Sequence, residues 1–177
     1  MTNAELAILG LIAEQPRHGY DIEQSIEVRG MREWTEIGFS SIYYLLNKLE
    51  TAGLVEGRLQ QAKGKGPARK VYTITSQGRQ TLVEGALAAL SVPQSGSSPF
   101  LLALANYPIL PREQLLSALN SYAARLEQSA QRVQQRAEAQ RPLPSFIAAM
   151  FDYSRVMLEA ERRWTRRFIQ DVEAGDV

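Results

Sequence analysis

The hydrophobic pattern of the first half of this sequence changes its period once, from helical spacing to strand-like alternation. Before about residue 53, apolar residues recur every three or four positions in three successive segments, which predicts three helices. Beyond it, LVEGRLQ and RKVYTIT alternate as two short strands, and the basic, glycine-rich QAKGKGPA lies between them. The pattern therefore restricts the fold of this half of the chain to three helices followed by a β-hairpin.

The third predicted helix combines a buried face with a polar one. The first two predicted helices span about residues 4–14 and 20–29, and the third spans about 40–51. In the third, an i, i+3, i+4, i+7 spacing predicts burial of Ile42, Leu45, Leu46 and Leu49. The outward face or its borders then carry short polar and aromatic residues, namely Ser40, Ser41, Tyr43, Tyr44, Asn47 and Lys48.

Positive charge is concentrated in the predicted hairpin and the start of the helix after it. The net charge is only +1, yet no Asp or Glu occurs between Glu56 and Glu84, an interval that contains six Lys and Arg residues. Helices followed by a basic hairpin form a winged helix-turn-helix, in which the third helix enters the major groove and the hairpin contacts backbone phosphates. The candidate DNA-binding residues are Ser40, Ser41, Tyr43, Tyr44, Asn47, Lys48, Lys63, Lys65, Arg69 and Lys70.

Two of these assignments have structural alternatives. The basic hairpin would also suit a solvated surface, although its lack of acids favours a polyanionic partner. Tyr43 lies at a border of its helix, so it fits either a core aromatic or a phosphate donor. Asn47 is equally open to contact with DNA or with solvent.

The second half of the chain reads as helical. Residues 91–99 are rich in Ser, Pro and Gly and predict a linker between a DNA-binding domain, 1–90, and a helical domain, 100–177. Two long amphipathic helices, from Pro111 and over about 145–172, are separated by a Pro-containing break at 141–144 and form a helical hairpin. A two-helix hairpin cannot bury its apolar stripes alone, so we expect it to dimerise. The expected fold is mainly α with a small β-hairpin.

An aromatic and methionine stripe runs along the last helix. Such a stripe is typical of a helix interface, and it would also suit an apolar effector at the dimer seam. The candidate interface or effector residues are Met150, Phe151, Met157, Trp164 and Phe168.

The residue inventory argues against catalysis and against cofactors. Cysteine is absent and His18 is the only histidine, which removes thiolate and His-rich metal sites and His-pair chemistry. His18 is expected to lie in a turn or to cap the second helix. GKGKGP lacks the Lys-Ser/Thr of a phosphate-binding loop. No apolar run is long enough for a membrane span and no signal peptide is recognisable, so we expect a cytoplasmic protein.

The sequence resembles the PadR-like family of winged-helix transcriptional regulators. The resemblance rests on LAILGLIAEQPRHGYDIEQSI, SSIYYLLNKLETAGLVEG and GPARKVYTITSQGRQTL, and more weakly on PFLLALANYPILPREQL and YSRVMLEAERRWTRRFI. It implies a prokaryotic DNA-binding regulator, usually a homodimer and often a repressor, with a C-terminal helical dimerisation domain. In several members a small molecule such as a phenolic acid alters DNA affinity.

These observations predict a homodimeric repressor that binds a pseudo-palindromic duplex operator and responds to a small aromatic or apolar effector. The alternative is a winged-helix module that binds a protein partner and not DNA. An enzyme is the least favoured class, because the residues available assemble neither a metal cluster nor a nucleophile and base.

Overall fold

Two units make up the chain, Met1–Ser95 and Gly96–Val177, and the division falls within the predicted linker. The computed structural model describes residues 1–35, 37–38, 41–61, 68–93 and 98–175. The first unit contains five helices and three strands in these residues: α1 (Asn3–Glu14), β1 (Arg17–His18), α2 (Gly19–Val28), α3 (Arg32–Thr35), α4 (Ser41–Thr51), β2 (Val55–Gln60), β3 (Arg69–Ile74) and α5 (Ser76–Ser91). The second unit has α6 (Pro99–Ala105), a 3-10 turn (Tyr107–Ile109), α7 (Arg112–Ala139) and α8 (Ser145–Ala174).

The core of the first unit is built from the apolar faces of α1, α2 and α4. Four α1 side chains are almost completely buried: Ile8, Leu9, Leu11 and Ile12. The four residues predicted to anchor the third helix, Ile42, Leu45, Leu46 and Leu49, are buried as well, which confirms the helical spacing. Tyr72 and Ile74 of β3 complete this cluster.

The sheet has three antiparallel strands in the order β1-β3-β2, one more than the sequence predicted. β2 and β3 form the expected hairpin, with Gly57 opposite Tyr72. β1 consists of two residues that pair with Tyr72 and Val71. A two-residue strand has no hydrophobic period, so only its tertiary pairing defines it. The four-residue helix α3 was missed for the same reason: it falls in the predicted connector after α2.

A buried arginine joins α1, β1 and α2. Arg17 is only 8% exposed, and its guanidinium donates to the Leu11 carbonyl at 2.9 Å, to Ser25 Oγ at 2.9 Å and to Glu14 Oε2 at 2.8 Å. These bonds distribute its donors over two helices. They therefore hold α2 at a fixed position on α1, next to the helix that carries the candidate residues.

Side chains cap the helices of the first unit. Thr2 and Glu5 form a reciprocal capping box at the start of α1. His18 caps α2, with Nδ1 accepting from the Asp21 amide at 3.3 Å, which confirms the predicted role of this histidine. Thr75 caps α5 by accepting from the Gly78 amide at 3.0 Å.

In the second unit, α7 and α8 form the predicted helical hairpin. Leu115, Leu119 and Leu126 of α7 are buried, together with Ile169 and Val172 of α8. Phe100 of α6 stacks on Tyr122 and meets Trp164 edge-on. Burial and a hydrogen bond to Glu161 raise the pKa of Tyr122 to about 12.

The far end of this hairpin is closed by an arginine of α7. Arg112 donates to the carbonyls of Val172 and Glu173, which lie in the last turn of α8. Arg112 thereby adds donors to the last carbonyls of α8, one of which, that of Val172, also accepts from the Gly175 amide at 3.3 Å.

Candidate nucleic-acid interface

The outward face of α4 is a polar and aromatic surface with a rigid support. Tyr43 is 56% and Tyr44 67% exposed, and Asn47 and Lys48 are exposed beside them. Ser41 is half-buried and its hydroxyl donates to the Gly38 carbonyl at 2.7 Å, at the start of the helix. Because the opposite side of α4 is locked in the core, these side chains are presented from a fixed backbone.

Tyr43 lies at the border with α2, as its helical position predicted. Its ring covers Gly19 so closely that a Cβ on Gly19 would come within 2.5 Å of Tyr43 Cε1. The ring is thus packed on one side and open to solvent on the other. This geometry is compatible with both roles that the sequence left open, a border aromatic and a contact to phosphate.

Lys48 is held by an acidic residue of α1. Its ammonium lies 2.6 Å from Glu5 Oε1, and the Glu5 side chain is only 8% exposed. The Lys48 hydrogen bond lowers the pKa of Glu5, and the Thr2 amide adds to this effect. Glu5 raises the pKa of Lys48 in turn. Since Lys48 is the only Lys or Arg between residues 41 and 51, α4 presents a largely neutralised surface.

The side chain of Lys70 points toward α4 and not into solvent. It shares a face of β3 with the buried Tyr72 and Ile74, and its ammonium lies 2.6 Å from Glu50 Oε2 at the end of α4. Glu50 raises the pKa of Lys70. The placement fits a link between α4 and the sheet better than the phosphate contact predicted for this residue.

Arg69 is the exposed basic residue at the start of β3. Its Nη1 lies 3.3 Å from Nε2 of His18. His18 also accepts the Asp21 amide at Nδ1, and its Nε2 lies 3.0 Å from Asp21 Oδ2. The contact with Arg69 involves only one end of a guanidinium that has five N–H donors, so the other donors of Arg69 are available to phosphate.

Three candidate residues lie outside the described part of the chain: Ser40, Lys63 and Lys65. Among the candidates that are described, Ser41, Tyr43, Tyr44, Asn47 and Lys48 share α4, while Arg69 and Lys70 share β3. Sequence reasoning missed the carboxylates that hold the two lysines. Glu5 and Glu50 are 43 and 20 positions away from their partners, and no local pattern signals such pairs.

The stripe predicted along α8 divides into two parts. Trp164 and Phe168 stack on each other with ring centroids 5.0 Å apart, and Phe168 also meets Tyr107, so this part packs inside the unit. Met150 and Met157 are 45% and 52% exposed, and Phe151 is half-buried. Only this second part is open to a further partner.

Among the residues that the structure describes, no three His, Asp or Glu side chains come together as a metal site would require. None of the described helices has both the length and the hydrophobicity that a bilayer crossing needs.

Known proteins resemble this chain both in sequence and in structure. Residues 8–84 match the sequence profile described as the Transcriptional regulator PadR-like family. The structure of Bacillus subtilis PadR in complex with operator DNA is 21% identical, with a TM-score of 0.77 over 95% of this chain and 98% of that one. The same protein in complex with p-coumaric acid is 19% identical, with a TM-score of 0.78 over 97% and 99%.

A PadR-like transcriptional regulator from Bacillus cereus is 19% identical to this chain, with a TM-score of 0.70 over 95% of this chain and 94% of that one. No curated protein matches the sequence. At these identities the structural likeness shows the fold, a winged helix with a C-terminal helical region.

Proposed function

Through residues 8–84 this chain belongs to the Transcriptional regulator PadR-like family, and from that premise we propose that it is a homodimeric repressor that binds a duplex operator. It acts in the cytoplasm and performs no catalysis. The structurally similar PadR from Bacillus subtilis has been seen in complex with operator DNA, which supports the choice of partner.

One observation carries the DNA-binding assignment, namely the exposed face of α4. Tyr43, Tyr44 and Asn47 are exposed on this helix, whereas the side chains on its opposite face are buried. Hydroxyl and amide groups on a rigid helix suit base edges and phosphates in the major groove. The hairpin β2-β3 follows α4 directly and has the exposed Arg69 at the start of its second strand.

Exposed apolar residues on α8 support the homodimer. Phe146, Met150, Tyr153 and Met157 recur every three or four residues and are all exposed by 45% or more. Such a stripe is expensive to leave in water, and a second copy would offer a matching one. Dimerisation also doubles the phosphate contacts and sets two reading helices about 34 Å apart, which favours a pseudo-palindromic operator.

We extend the proposal to a small aromatic or apolar effector. Bacillus subtilis PadR has been seen in complex with p-coumaric acid, and the open part of the α8 stripe, the exposed Met150 and Met157 with the half-buried Phe151, offers an apolar surface of suitable chemistry. An effector that binds one arrangement of the dimer better than another shifts its population and with it the DNA affinity. Titration of p-coumaric acid and other aromatic acids, followed by Trp164 fluorescence and operator affinity, tests the coupling.

Selection of bound duplexes from a random pool tests the main proposal. We expect the purified protein to enrich a sequence with two related half-sites. Affinity for that sequence should fall steeply with salt, because bound Lys and Arg displace counterions from DNA.

The hairpin is tested by replacing Lys63, Lys65 and Arg69 together with alanine. If each neutralises one phosphate in both subunits, the log-log salt slope decreases by up to about 5. An unchanged slope refutes the assignment of these three residues. No enrichment and no salt-dependent duplex binding by the wild-type protein would favour the protein-partner module instead.

A further inference from the structure

A half-buried ion pair joins the end of α4 to the hairpin. Glu50 lies in the last turn of α4 and Lys70 near the outer end of β3, and their charged atoms are 2.6 Å apart. Both side chains are partly shielded, Glu50 being 30% and Lys70 39% exposed. The ammonium also lies 5.4 Å from the centre of the Tyr72 ring. The pair is therefore fixed on two sides and differs from a freely solvated surface contact.

Gly57 of β2 provides the space for this pair. A Cβ at residue 57 would come within 2.3 Å of Lys70 Cε and 2.7 Å of Glu50 Oε1. Glycine weakens a strand interior, and a strand glycine often marks a close approach by another group. Here the close approach is made by the Glu50–Lys70 pair itself.

The pair lies far enough from the base of the hairpin to restrain the orientation of the hairpin relative to α4. At the base of the hairpin, the Leu54 amide donates to the Leu49 carbonyl of α4 at 2.9 Å, and the Thr75 amide donates to the Leu54 carbonyl at 3.1 Å, which joins the two ends of the hairpin. Lys70 lies four residues farther out than Ile74, about 13 Å along the strand. A contact at that distance restrains the angle between hairpin and helix far more than a contact at the base.

The sign of the charge is the second argument. A carboxylate beside a DNA-binding surface repels phosphate, so Glu50 on its own opposes binding. We propose that Glu50 is a positioning residue, which holds Lys70 over Gly57 and thereby fixes the angle at which α4 and the β2-β3 hairpin engage one duplex. This inference rests on the proposed DNA-binding function and assigns Glu50 a positioning role in place of a contact to DNA.

Two substitutions break the pair in different ways. Glu50→Gln removes a negative charge, and Gly57→Ala displaces the pair while every charge remains. We expect both to lower the ratio of operator affinity to affinity for an unrelated duplex by about tenfold, because the angle between α4 and the hairpin is no longer fixed. Glu56→Gln is the matched control, since Glu56 lies next to Gly57 in β2 and forms an exposed ion pair with Arg58.

The control separates positioning from simple electrostatics. Electrostatics alone predicts that Glu50→Gln and Glu56→Gln both tighten binding to any duplex, and that result would overturn the proposal. An unchanged affinity ratio in both Glu50→Gln and Gly57→Ala would overturn it as well. The charge-reversed double variant, Glu50→Lys with Lys70→Glu, should regain most of the ratio lost by either single reversal.

Thermal unfolding of each variant accompanies the titrations, so that a folding defect is recognised. If Gly57→Ala does not fold, Glu50→Gln and the charge-reversed pair still decide the matter. Wild-type protein that does not discriminate the operator refutes the proposed function itself. Wild-type protein that discriminates, with variants that do so equally well, refutes the positioning role alone.

Discussion

At the level of single residues, acidic neighbours determine how much of the positive charge on α4 and β3 is available to DNA. Lys48 and Lys70 each lie 2.6 Å from a carboxylate, whereas Arg69 is exposed at the start of the central strand, β3. Tyr44 and Asn47 are uncharged and open to solvent. We therefore expect α4 to contribute more through polar and aromatic contacts than through charge.

Substitution of Tyr44 tests this expectation. The side chain is 67% exposed, so Tyr44→Ala should leave the thermal unfolding midpoint nearly unchanged. Operator affinity should fall by about tenfold, the typical cost of losing a groove contact. Tyr44→Phe, measured in the same titration, separates the hydroxyl from the ring. Full affinity in Tyr44→Ala would show that the outer face of α4 does not meet the operator there.

The ion pair of Glu5 predicts a stability that depends on acid. The Lys48 hydrogen bond lowers the pKa of Glu5 below its ordinary value of 4.5 in the folded protein. The folded state thus binds this proton less readily than the unfolded state does. The stabilisation is complete above pH 4.5 and is lost as the pH falls toward the folded pKa.

Glu5→Gln removes this titration and keeps a side chain that still suits the capping box. We expect wild type to be more stable than Glu5→Gln at pH 7 and the difference to shrink on acidification, as measured by urea unfolding at each pH. A difference that stays constant from pH 7 to pH 3 would contradict the assigned ion pair. Lys48→Met should reproduce the effect, because it removes the partner.

At the level of elements, close backbone contacts connect α5 to the end of α4 and the sheet. Gly78, in the first turn of α5, lies so near the Leu54 carbonyl that a Cβ would come within 2.0 Å of it, and within 2.9 Å of Ile74 Cγ1. The Thr75 hydroxyl also reaches the Gly53 carbonyl at 2.7 Å. The position of the first turn of α5 is therefore fixed by these contacts as well as by its N-cap.

A matched pair of glycine substitutions tests this contact. Gly78→Ala should destabilise the first unit by about 2–3 kcal/mol, because a backbone carbonyl cannot yield as a flexible side chain can. Gly10→Ala, in the interior of α1 with nothing within 4 Å of a new Cβ, should stabilise it by about 0.5–1 kcal/mol. Urea unfolding of both variants gives the comparison, and equal changes of the same sign would disprove the packing argument.

At the level of the whole molecule, the exposed stripe of α8 is the surface on which a dimer depends. Met150 and Met157 are two turns apart on one face and half-exposed. We expect Met150→Glu to shift the protein toward monomer in sedimentation experiments, because a buried unpaired carboxylate is costly in an apolar interface. Operator binding should become weaker and lose its dependence on two half-sites.

Gln170→Glu is the matched control, since it adds the same charge at an exposed polar position of the same helix. It should leave the oligomeric state unchanged. A Met150→Glu protein that sediments and binds like wild type would rule out this stripe as the dimer contact.

The sequence alone determined the order of the longer helices and of the β2-β3 hairpin, and which face of α4 is buried. Ile42, Leu45, Leu46 and Leu49 could be assigned to the core because helical geometry repeats over 3.6 residues and needs no distant partner. The hairpin, the His18 cap and the long helices were likewise predicted from local pattern, as was the exposed face of α4.

Only the tertiary structure decided which of the predicted charges are free. The partners of Lys48 and Lys70 are 43 and 20 residues away, and β1 exists only through its pairing with Tyr72 and Val71. Local pattern reports the side that a residue faces, whereas an ion pair or a short strand depends on what the fold brings to that side. That is why the sequence could place Lys70 in a basic hairpin but not show that Glu50 holds it there.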